Sequence, residues 1–146
     1  MIVVYNFVIQ LVNTLLPALG LFDEKIKKGV IGRKKTLSFL LKNIDKGDTV
    51  FWFHCASLGE YEQGLPVFKN LKLLYPQAKI VLSFFSPSGY EIRKENPITP
   101  LVIYLPLDTK KNVNLFLTAL MPSLVVFVRY ELWPNYLMAL KSHSAK

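Results

Sequence analysis

Three short segments carry acidic, hydroxyl, glycine or amide residues whose types and spacing could support chemistry at turns. The first, residues 56–60, reads A-S-L-G-E. Glu60 could act as a general base toward a bound hydroxyl, and Gly59 lets the backbone approach a ligand closely. Ser57 and Glu60 also fit the S-x-x-E capping box that begins a helix. Capping and catalysis are therefore both open for Glu60.

The second segment, residues 85–90, reads F-S-P-S-G-Y. Its hydroxyls, Ser86 and Ser88, stand with Gly89 where a helix is predicted to begin, which suits an anion or a sugar hydroxyl. Ordinary capping of that helix by Ser86 or Ser88 explains the same spacing. The sequence leaves both interpretations open.

The third segment, residues 129–135, reads R-Y-E-L-W-P-N. Glu131 could complement a helix dipole or pair with Arg129, and Trp133 could belong to the core. Glu131, Trp133 and Asn135 together are nevertheless unusual for packing alone. We predict that Glu131 faces the same crevice as Glu60.

Other residues that commonly carry catalysis are few. His54 lies inside an apolar run, which is typical of a core or crevice histidine. Cys55 is the only cysteine, so disulfide frameworks and paired-cysteine zinc sites are excluded. The chain has no G-x-G-x-x-G, Walker A or D-x-D motif. We therefore expect no bound dinucleotide, P-loop nucleotide, cofactor or catalytic metal.

Apolar runs alternate with helical patterns through the second part of the chain. Continuous β-branched and aromatic runs predict buried parallel strands, and apolar residues at helical spacing predict the connecting helices. Such alternation indicates an α/β fold with a Rossmann-like parallel sheet, whose ligands bind at the carboxyl ends of the strands. The predicted strands are 49–55, 79–85, 101–105 and 123–128, and the predicted helices are 60–75, 88–96, 112–121 and 131–143.

Composition narrows the classes of partner. The 146 residues are 51% hydrophobic and 13% aromatic, which excludes a disordered chain. The net charge is nevertheless +8. A chain both apolar and basic points to an anionic partner: a membrane, a phosphorylated ligand or a nucleic acid.

Residues 1–22 contain no charged side chain, and about 20 apolar residues can span a bilayer. Their polar positions share one helical face, which favours a helix that lies in the membrane interface or packs against protein. No basic n-region precedes them, so a secretory signal is not expected. We predict a membrane-associating helix. The polar positions are Asn6, Gln10, Asn13, Thr14 and Pro17.

Residues 23–47 form a basic segment directly after this helix. Eight basic residues stand against three acidic ones between positions 23 and 46, a pattern typical of cytoplasmic flanks and of binders of anionic head groups. A solvated helix face is the alternative. Nucleic acid is not expected, because no stacking aromatics or recognition helix accompany the charges. The predicted membrane or phosphate contacts are Lys25, Lys27, Lys28, Arg33, Lys34 and Lys35.

Four blocks of sequence, in this order and spacing, resemble the 3-deoxy-D-manno-octulosonic acid (Kdo) transferases. They are F-W-F-H-C-A-S-L-G-E at 51–60, S-P-S-G at 86–89, Y-L-P-L-D at 104–108 and E-L-W-P-N at 131–135. An apolar N-terminal helix followed by basic residues fits the same family. The resemblance covers nearly the whole chain.

The resemblance implies a GT-B fold of two Rossmann-like lobes, with residues 48–146 as an incomplete N-terminal, acceptor-binding lobe. Family members transfer Kdo from CMP-Kdo to a lipid A precursor, with inversion and without a metal, at the cytoplasmic face of the inner membrane. Glu60 matches the family's proposed general base. The C-terminal lobe would hold most of the CMP-Kdo site. The predicted crevice residues are Ser57, Gly59, Ser86, Ser88, Gly89, Arg129, Glu131, Trp133 and Asn135.

The chain departs from the family in two respects. It carries V-R-Y before E-L-W-P-N, where many members are more acidic, and it is less than half the length of family members. We therefore expect that residues 1–146 alone do not transfer Kdo. The alternatives are a non-catalytic membrane-surface module for an anionic glycolipid, and an unrelated basic α/β protein that binds nucleic acid.

Overall fold

The computed structural model describes residues 1–129 and 131–142. Within them, four parallel strands form one sheet in the order β3-β2-β1-β4. The predicted α/β fold with a parallel sheet is thereby confirmed. The order reverses beside β1, so the carboxyl ends of β1 and β4 flank a topological switch point, where open α/β sheets bind ligands. The strands are β1 (Val50–Cys55), β2 (Lys79–Phe84), β3 (Val102–Tyr104) and β4 (Leu124–Phe127).

Six helices accompany the sheet in the described residues. Pro76 follows the helix α3 (Leu58–Leu74), as predicted. Two other predicted boundaries were wrong. The helix α4 (Pro87–Arg93) ends at Arg93 rather than at residue 96, and α6 (Pro134–Ser142) begins at Pro134 rather than at residue 131. Proline suits the first turn of a helix, and residues 131–133 stay outside α6. The predicted helix end at residue 143 lies outside the described residues. The helices are α1 (Ile2–Leu19), α2 (Glu24–Asn43), α3 (Leu58–Leu74), α4 (Pro87–Arg93), α5 (Lys110–Leu120) and α6 (Pro134–Ser142).

Two hydrophobic layers cover the sheet because side chains alternate along each strand. Trp52 of β1 packs against Phe116 of α5 and Tyr136 of α6, with ring centroids 5.0 and 5.6 Å apart. The neighbouring Phe53 packs on the other face against Phe68 of α3. His54 follows Phe53 and so shares the face of Trp52. Trp52 and His54 therefore lie on the sheet face that α2, α5 and α6 cover.

The basic segment is a helix of the lobe itself. Asp23 caps α2 by accepting from the backbone N–H groups of Lys25 and Ile26, as helix N-caps do. Thr36 donates to the Tyr104 carbonyl at 2.8 Å, and Leu40 is fully buried in the core. Because α2 runs back toward the start of β1, its lysine-rich first half lies at the carboxyl edge of the sheet.

The N-terminal helix contacts the lobe through two polar side chains near its start and exposes several apolar side chains. Tyr5 donates to the Asp108 carboxylate at 2.7 Å, and Asn6 accepts from Asn135 at 2.7 Å. On the other side, Phe7 is 71% exposed and Leu11 49%. In the described chain α1 is the one helix long and apolar enough to cross a membrane, a test that signal sequences also pass.

Replacing Gly32 of α2 by alanine is expected to destabilise the fold. A Cβ at Gly32 would overlap the ring of Tyr104, which is buried and stacked on Tyr90 at 4.1 Å. Overpacking costs about 1–3 kcal/mol, against about 1 kcal/mol gained from removing a helical glycine. Urea unfolding followed by circular dichroism measures the difference.

Gly59→Ala is the matched control for that substitution. Gly59 is also helical and exposed, and the nearest atom to its added Cβ is Ser57 Oγ at 3.9 Å. Its unfolding midpoint should equal or exceed that of the wild type. Equal midpoints for the two variants would contradict the packing described for Gly32.

Candidate functional site

The turn after β1 carries Ser57, Gly59 and Glu60 at the switch point. One carboxylate oxygen of Glu60, Oε2, accepts from the backbone N–H of Ala56 and, at 3.1 Å, from that of Ser57. Ser57 and Glu60 form a capping box, so the capping interpretation is confirmed. Glu60 is only half-buried, and Gly59 is exposed. The two hydrogen bonds of the cap go to one carboxylate oxygen, and the side chain is partly exposed to solvent.

The turn after β2 lies against the first turn. The Ser86 N–H donates to the Ala56 carbonyl at 3.0 Å, and the hydroxyls of Ser86 and Ser88 are 2.8 Å apart. Gly89 is buried, and a Cβ there would lie 2.8 Å from Cδ1 of Phe84. The two hydroxyls thus lie at the carboxyl edge of the sheet. The lack of a side chain at Gly89 leaves room for the ring of Phe84 to pack against α4.

The turn after β4 completes the edge on the other side of β1. The Val128 N–H donates to the His54 carbonyl at 2.9 Å. Arg129 is exposed and left-handed (φ 66°), a conformation uncommon outside glycine. Among the described residues, the basic side chain within ion-pair distance of Glu131 is that of His54, whose Nε2 lies 3.5 Å from Oε2, and not that of Arg129. The alternative of an Arg129–Glu131 pair is not observed.

The electrostatics of Glu131 follow from that contact. His54 is the largest influence and lowers the pKa of the Glu131 carboxyl, whereas partial burial raises it less. The Trp133 indole adds a smaller lowering contribution to the pKa of Glu131. Glu131 is therefore ionised at neutral pH, as a carboxylate that can only accept hydrogen bonds.

The remaining predicted residues of this turn have separate positions. Trp133 is half-buried and packs on Phe85, with ring centroids 5.0 Å apart, which connects the turns after β2 and β4. Asn135 is buried, and its amide nitrogen donates to Asn6 and to the Asp108 carbonyl. The Asn135 amide therefore connects α1 to the segment before α5. It is buried there, whereas the sequence predicts it in the crevice.

Asp108 is a residue that sequence reasoning missed. Its buried carboxylate accepts from Tyr5 and from the backbone N–H groups of Asn135 (3.0 Å) and Tyr136 (2.9 Å). Burial raises the pKa of Asp108, and these hydrogen bonds oppose that shift. Asp108 thus caps α6 from a distant part of the chain. The Y-L-P-L-D block contains it, but local spacing gives no sign of a cap that acts on residues 27 and 28 positions away.

Arg33 differs from the other predicted phosphate contacts. Its guanidinium donates to the carbonyls of Leu105 (3.0 Å) and Phe85 (2.8 Å) and lies 4.6 Å from the centre of the Phe85 ring. Burial lowers the pKa of Arg33. Arg33 therefore joins the ends of β2 and β3. The five predicted lysines are exposed, and Lys27 pairs with Glu24 at 3.1 Å.

An open cavity of about 310 Å³ lies between α1, α2 and the turn after β2. Its wall is mostly apolar, with a lysine, an arginine and a serine among the lining groups. A second cavity of about 290 Å³ lies on the other side of Arg33. Apolar and cationic groups thus adjoin the carboxyl edge. The first cavity is lined by Leu16, Lys25, Ile26, Arg33, Phe85, Ser86 and Pro87.

A family described as 3-deoxy-D-manno-octulosonic-acid transferase (kdotransferase) matches residues 29–146. The chain belongs to the Kdo transferase family. The resemblance found in the sequence is confirmed, and the sheet with its helices is the N-terminal lobe of the GT-B fold. The match begins within α2, which agrees with the packing of that helix in the lobe.

Individual Kdo transferases are similar over the same region. A probable mitochondrial enzyme of Arabidopsis thaliana is 32% identical over 92 residues, which are 62% of this chain and 21% of that protein. The enzyme of Haemophilus influenzae is 32% identical over 58% of this chain, and that of Aquifex aeolicus is 32% identical over 62% of it. These stretches are 20% and 25% of the two proteins. The chain thus matches about a fifth to a quarter of each relative's length.

Proposed function

We propose that this chain is the acceptor lobe of an enzyme that transfers Kdo from CMP-Kdo to a lipid A precursor in lipopolysaccharide biosynthesis. The observation that carries the proposal is the glutamate-bearing turn of the Kdo transferase family, with Glu60 at a switch point that Glu131 also borders. A deprotonating group is needed where a sugar hydroxyl attacks the donor. Most of the CMP-Kdo site belongs to the C-terminal lobe in this proposal.

Within that reaction Glu60 is the general base that takes the proton of the acceptor hydroxyl. Ser57, Ser86 and Ser88 offer hydroxyls to the acceptor sugar, and Gly59 leaves space for its approach. Glu131 accepts from another sugar hydroxyl. The anomeric carbon of Kdo is attacked from the face opposite the leaving CMP, which gives inversion. These roles need no metal.

The acceptor is a phosphorylated, acylated disaccharide embedded in the cytoplasmic face of the inner membrane. The exposed apolar side of α1 supplies contact with the bilayer. The exposed lysines of α2 attract phosphate and anionic head groups. The cavity between α1 and α2 offers apolar surface beside Lys25, which suits a molecule that joins acyl chains to phosphates.

Vesicle flotation tests the proposed acceptor. Phosphatidylcholine vesicles containing a lipid A precursor should bind the chain more tightly than phosphatidylcholine alone. Replacing Lys25, Lys34 and Lys35 together by glutamine should weaken this binding about 100-fold, since each lysine near an anionic surface contributes about 1 kcal/mol. Vesicles that contain phosphatidylglycerol in place of the precursor show whether binding requires the glycolipid or only an anionic surface.

Lys42, Lys46 and Lys69 provide the control. They are exposed lysines, and replacing all three by glutamine changes the net charge equally. Lys42 and Lys46 lie at or beyond the far end of α2. The control should bind precursor vesicles like the wild type. Equal weakening in both triple variants, or equal binding with and without the precursor, would contradict the proposal.

A further inference from the structure

A buried chain of polar groups runs under the switch point. Trp52 and His54 lie on the same face of β1, and Ser83 of β2 is the register partner of His54. All three side chains are fully buried. Trp52 Nε1 lies 2.7 Å from Ser83 Oγ, and that oxygen lies 2.9 Å from His54 Nδ1. The three groups form one connected series that ends below Glu131.

The hydrogen bonds of this series have a direction, which follows from the donors available and from the distances. An indole N–H can only donate, so Ser83 Oγ accepts from Trp52. The single hydroxyl proton of Ser83 then has two acceptors in reach: His54 Nδ1 at 2.9 Å and the Phe53 carbonyl at 3.5 Å. The Ser83 carbonyl also lies 3.2 Å from Nδ1 and would accept from an Nδ1–H. The shorter contact, between Ser83 Oγ and Nδ1, favours donation from the hydroxyl to Nδ1. An imidazole nitrogen that accepts carries no proton, so the proton of the neutral ring is on Nε2.

The other ring nitrogen, Nε2, lies beside Glu131. Among the described residues, His54 Nε2 is buried without a hydrogen-bond partner and lies 3.5 Å from Glu131 Oε2. Within residues 1–129 and 131–142, no other basic side chain lies within ion-pair distance of the Glu131 carboxylate. We propose that Trp52 and Ser83 fix His54 as its Nε2–H tautomer, and that His54 positions Glu131 as an ionised acceptor for a sugar hydroxyl.

The chemistry of the ligand follows from the ionised carboxylate. Glu131 accepts hydrogen bonds and repels phosphates and carboxylates, so the group that meets it must be a donor such as a sugar hydroxyl. The lowered pKa of Glu131 agrees with this arrangement. His54 acts through Glu131 and is therefore a positioning residue. The proposal about the His54 tautomer does not depend on the proposed function. The proposal that Glu131 binds a sugar hydroxyl rests on the proposed function.

Nitrogen NMR of the ¹⁵N-labelled full chain tests the tautomer without any ligand. The chain has two histidines, and a His143→Gln variant assigns the signals of His54. At neutral pH we expect a pyridine-type Nδ1 and a pyrrole-type Nε2. A pyrrole-type Nδ1, or a doubly protonated ring, would overturn the proposal.

Removing the hydroxyl tests the direction of the series. In Ser83→Ala the ring loses its donor, while the carbonyl of residue 83, 3.2 Å from Nδ1 in the wild type, remains as an acceptor. The population should shift toward the Nδ1–H tautomer. An unchanged Nε2–H signal in this variant would show that Ser83 does not set the tautomer. The wild-type spectrum decides the tautomer itself even where this variant does not fold.

Carboxyl ¹³C titration of Glu131 tests positioning by His54. His54→Phe keeps a ring beside Phe127, which lies 5.8 Å away, but removes the N–H. The titration midpoint of Glu131 should rise in this variant. His54→Gln places an amide N–H near the position of Nε2 and should restore the midpoint. Equal midpoints in wild type and both variants would exclude the positioning role.

The sugar ligand is tested separately with the precursor vesicles. Glu131→Gln should weaken binding of the precursor at least tenfold, because a hydrogen bond to a charged group is lost. Glu95→Gln, at an exposed position, is the charge-matched control and should bind normally. Normal binding by Glu131→Gln would remove the sugar contact. If the wild type fails to bind the precursor, the proposed function fails and the NMR result is unaffected.

Discussion

An Asp108→Ala variant is expected to lose about 2–4 kcal/mol of unfolding free energy, because buried N–H groups are left without an acceptor. Two of them belong to the backbone of Asn135 and Tyr136 at the start of α6. The third donor is Tyr5 of α1. Natural domains are stable by only about 5–15 kcal/mol, so this loss is a large part of the total.

The same substitution should also release α1 from the lobe. Tyr5 and Asn6 hold α1 to Asp108 and Asn135, and the helix contains no buried residue. Loss of the carboxylate removes one contact and disturbs the other, because Asn135 also donates to the Asp108 carbonyl. Faster hydrogen exchange across α1 should therefore accompany the lower stability.

Two further variants separate these effects. Tyr5→Phe removes only the contact with α1 and should cost about 1 kcal/mol, with faster exchange in α1 and unchanged exchange in α6. Asp45→Ala changes an exposed aspartate and should leave both measurements as in the wild type. Urea unfolding by circular dichroism gives the free energies. Wild-type exchange in α1 of the Asp108→Ala variant would contradict the coupling.

The sequence predicted the elements of this lobe better than it predicted their connections. Continuous apolar runs identified all four described strands, because strands covered on both faces need apolar side chains throughout. The polar stripe of α1 predicted its packing only in part: Asn6 contacts Asn135, whereas Gln10, Thr14 and Pro17 are exposed. Both signals are local periodicities, so a single sequence carries them.

Contacts between distant residues explain what was missed. The cap of α6 is supplied by Asp108, and the basic side chain beside Glu131 is that of His54 on β1, not that of its neighbour Arg129. Arg33 was grouped with the lysines because its charge resembles theirs, but its guanidinium satisfies strand-end carbonyls. Each of these depends on which strands become neighbours, and residue spacing does not encode that.

Glu60→Gln is expected to lower Kdo transfer by about 10²–10⁴-fold in a version of the enzyme that carries a donor lobe, because general base catalysis contributes about that much. Fusion of this lobe to a C-terminal lobe that binds CMP-Kdo would provide such a version. The measurement is turnover with CMP-Kdo and a lipid A precursor. Acceptor binding in the vesicle assay should stay near the wild-type value.

The geometry makes glutamine the informative substitution. Both backbone N–H groups that Glu60 caps donate to the same oxygen, Oε2. A glutamine has one carbonyl oxygen that can take that place, and glutamine is accepted at this position of a capping box. Glu60→Gln therefore removes the proposed base and retains the cap, whereas Glu60→Ala removes both and should also cost about 1 kcal/mol of stability.

Glu62→Gln is the matched control on the same helix. Glu62 is exposed and pairs with Arg93, and surface pairs of this kind contribute at most about 1 kcal/mol. Its turnover should equal that of the wild type. Wild-type turnover in Glu60→Gln with lowered stability in Glu60→Ala would assign Glu60 to capping alone. Loss of turnover in Glu60→Gln at unchanged stability would assign it to both roles, since one carboxylate oxygen serves the cap and the other is left for the acceptor.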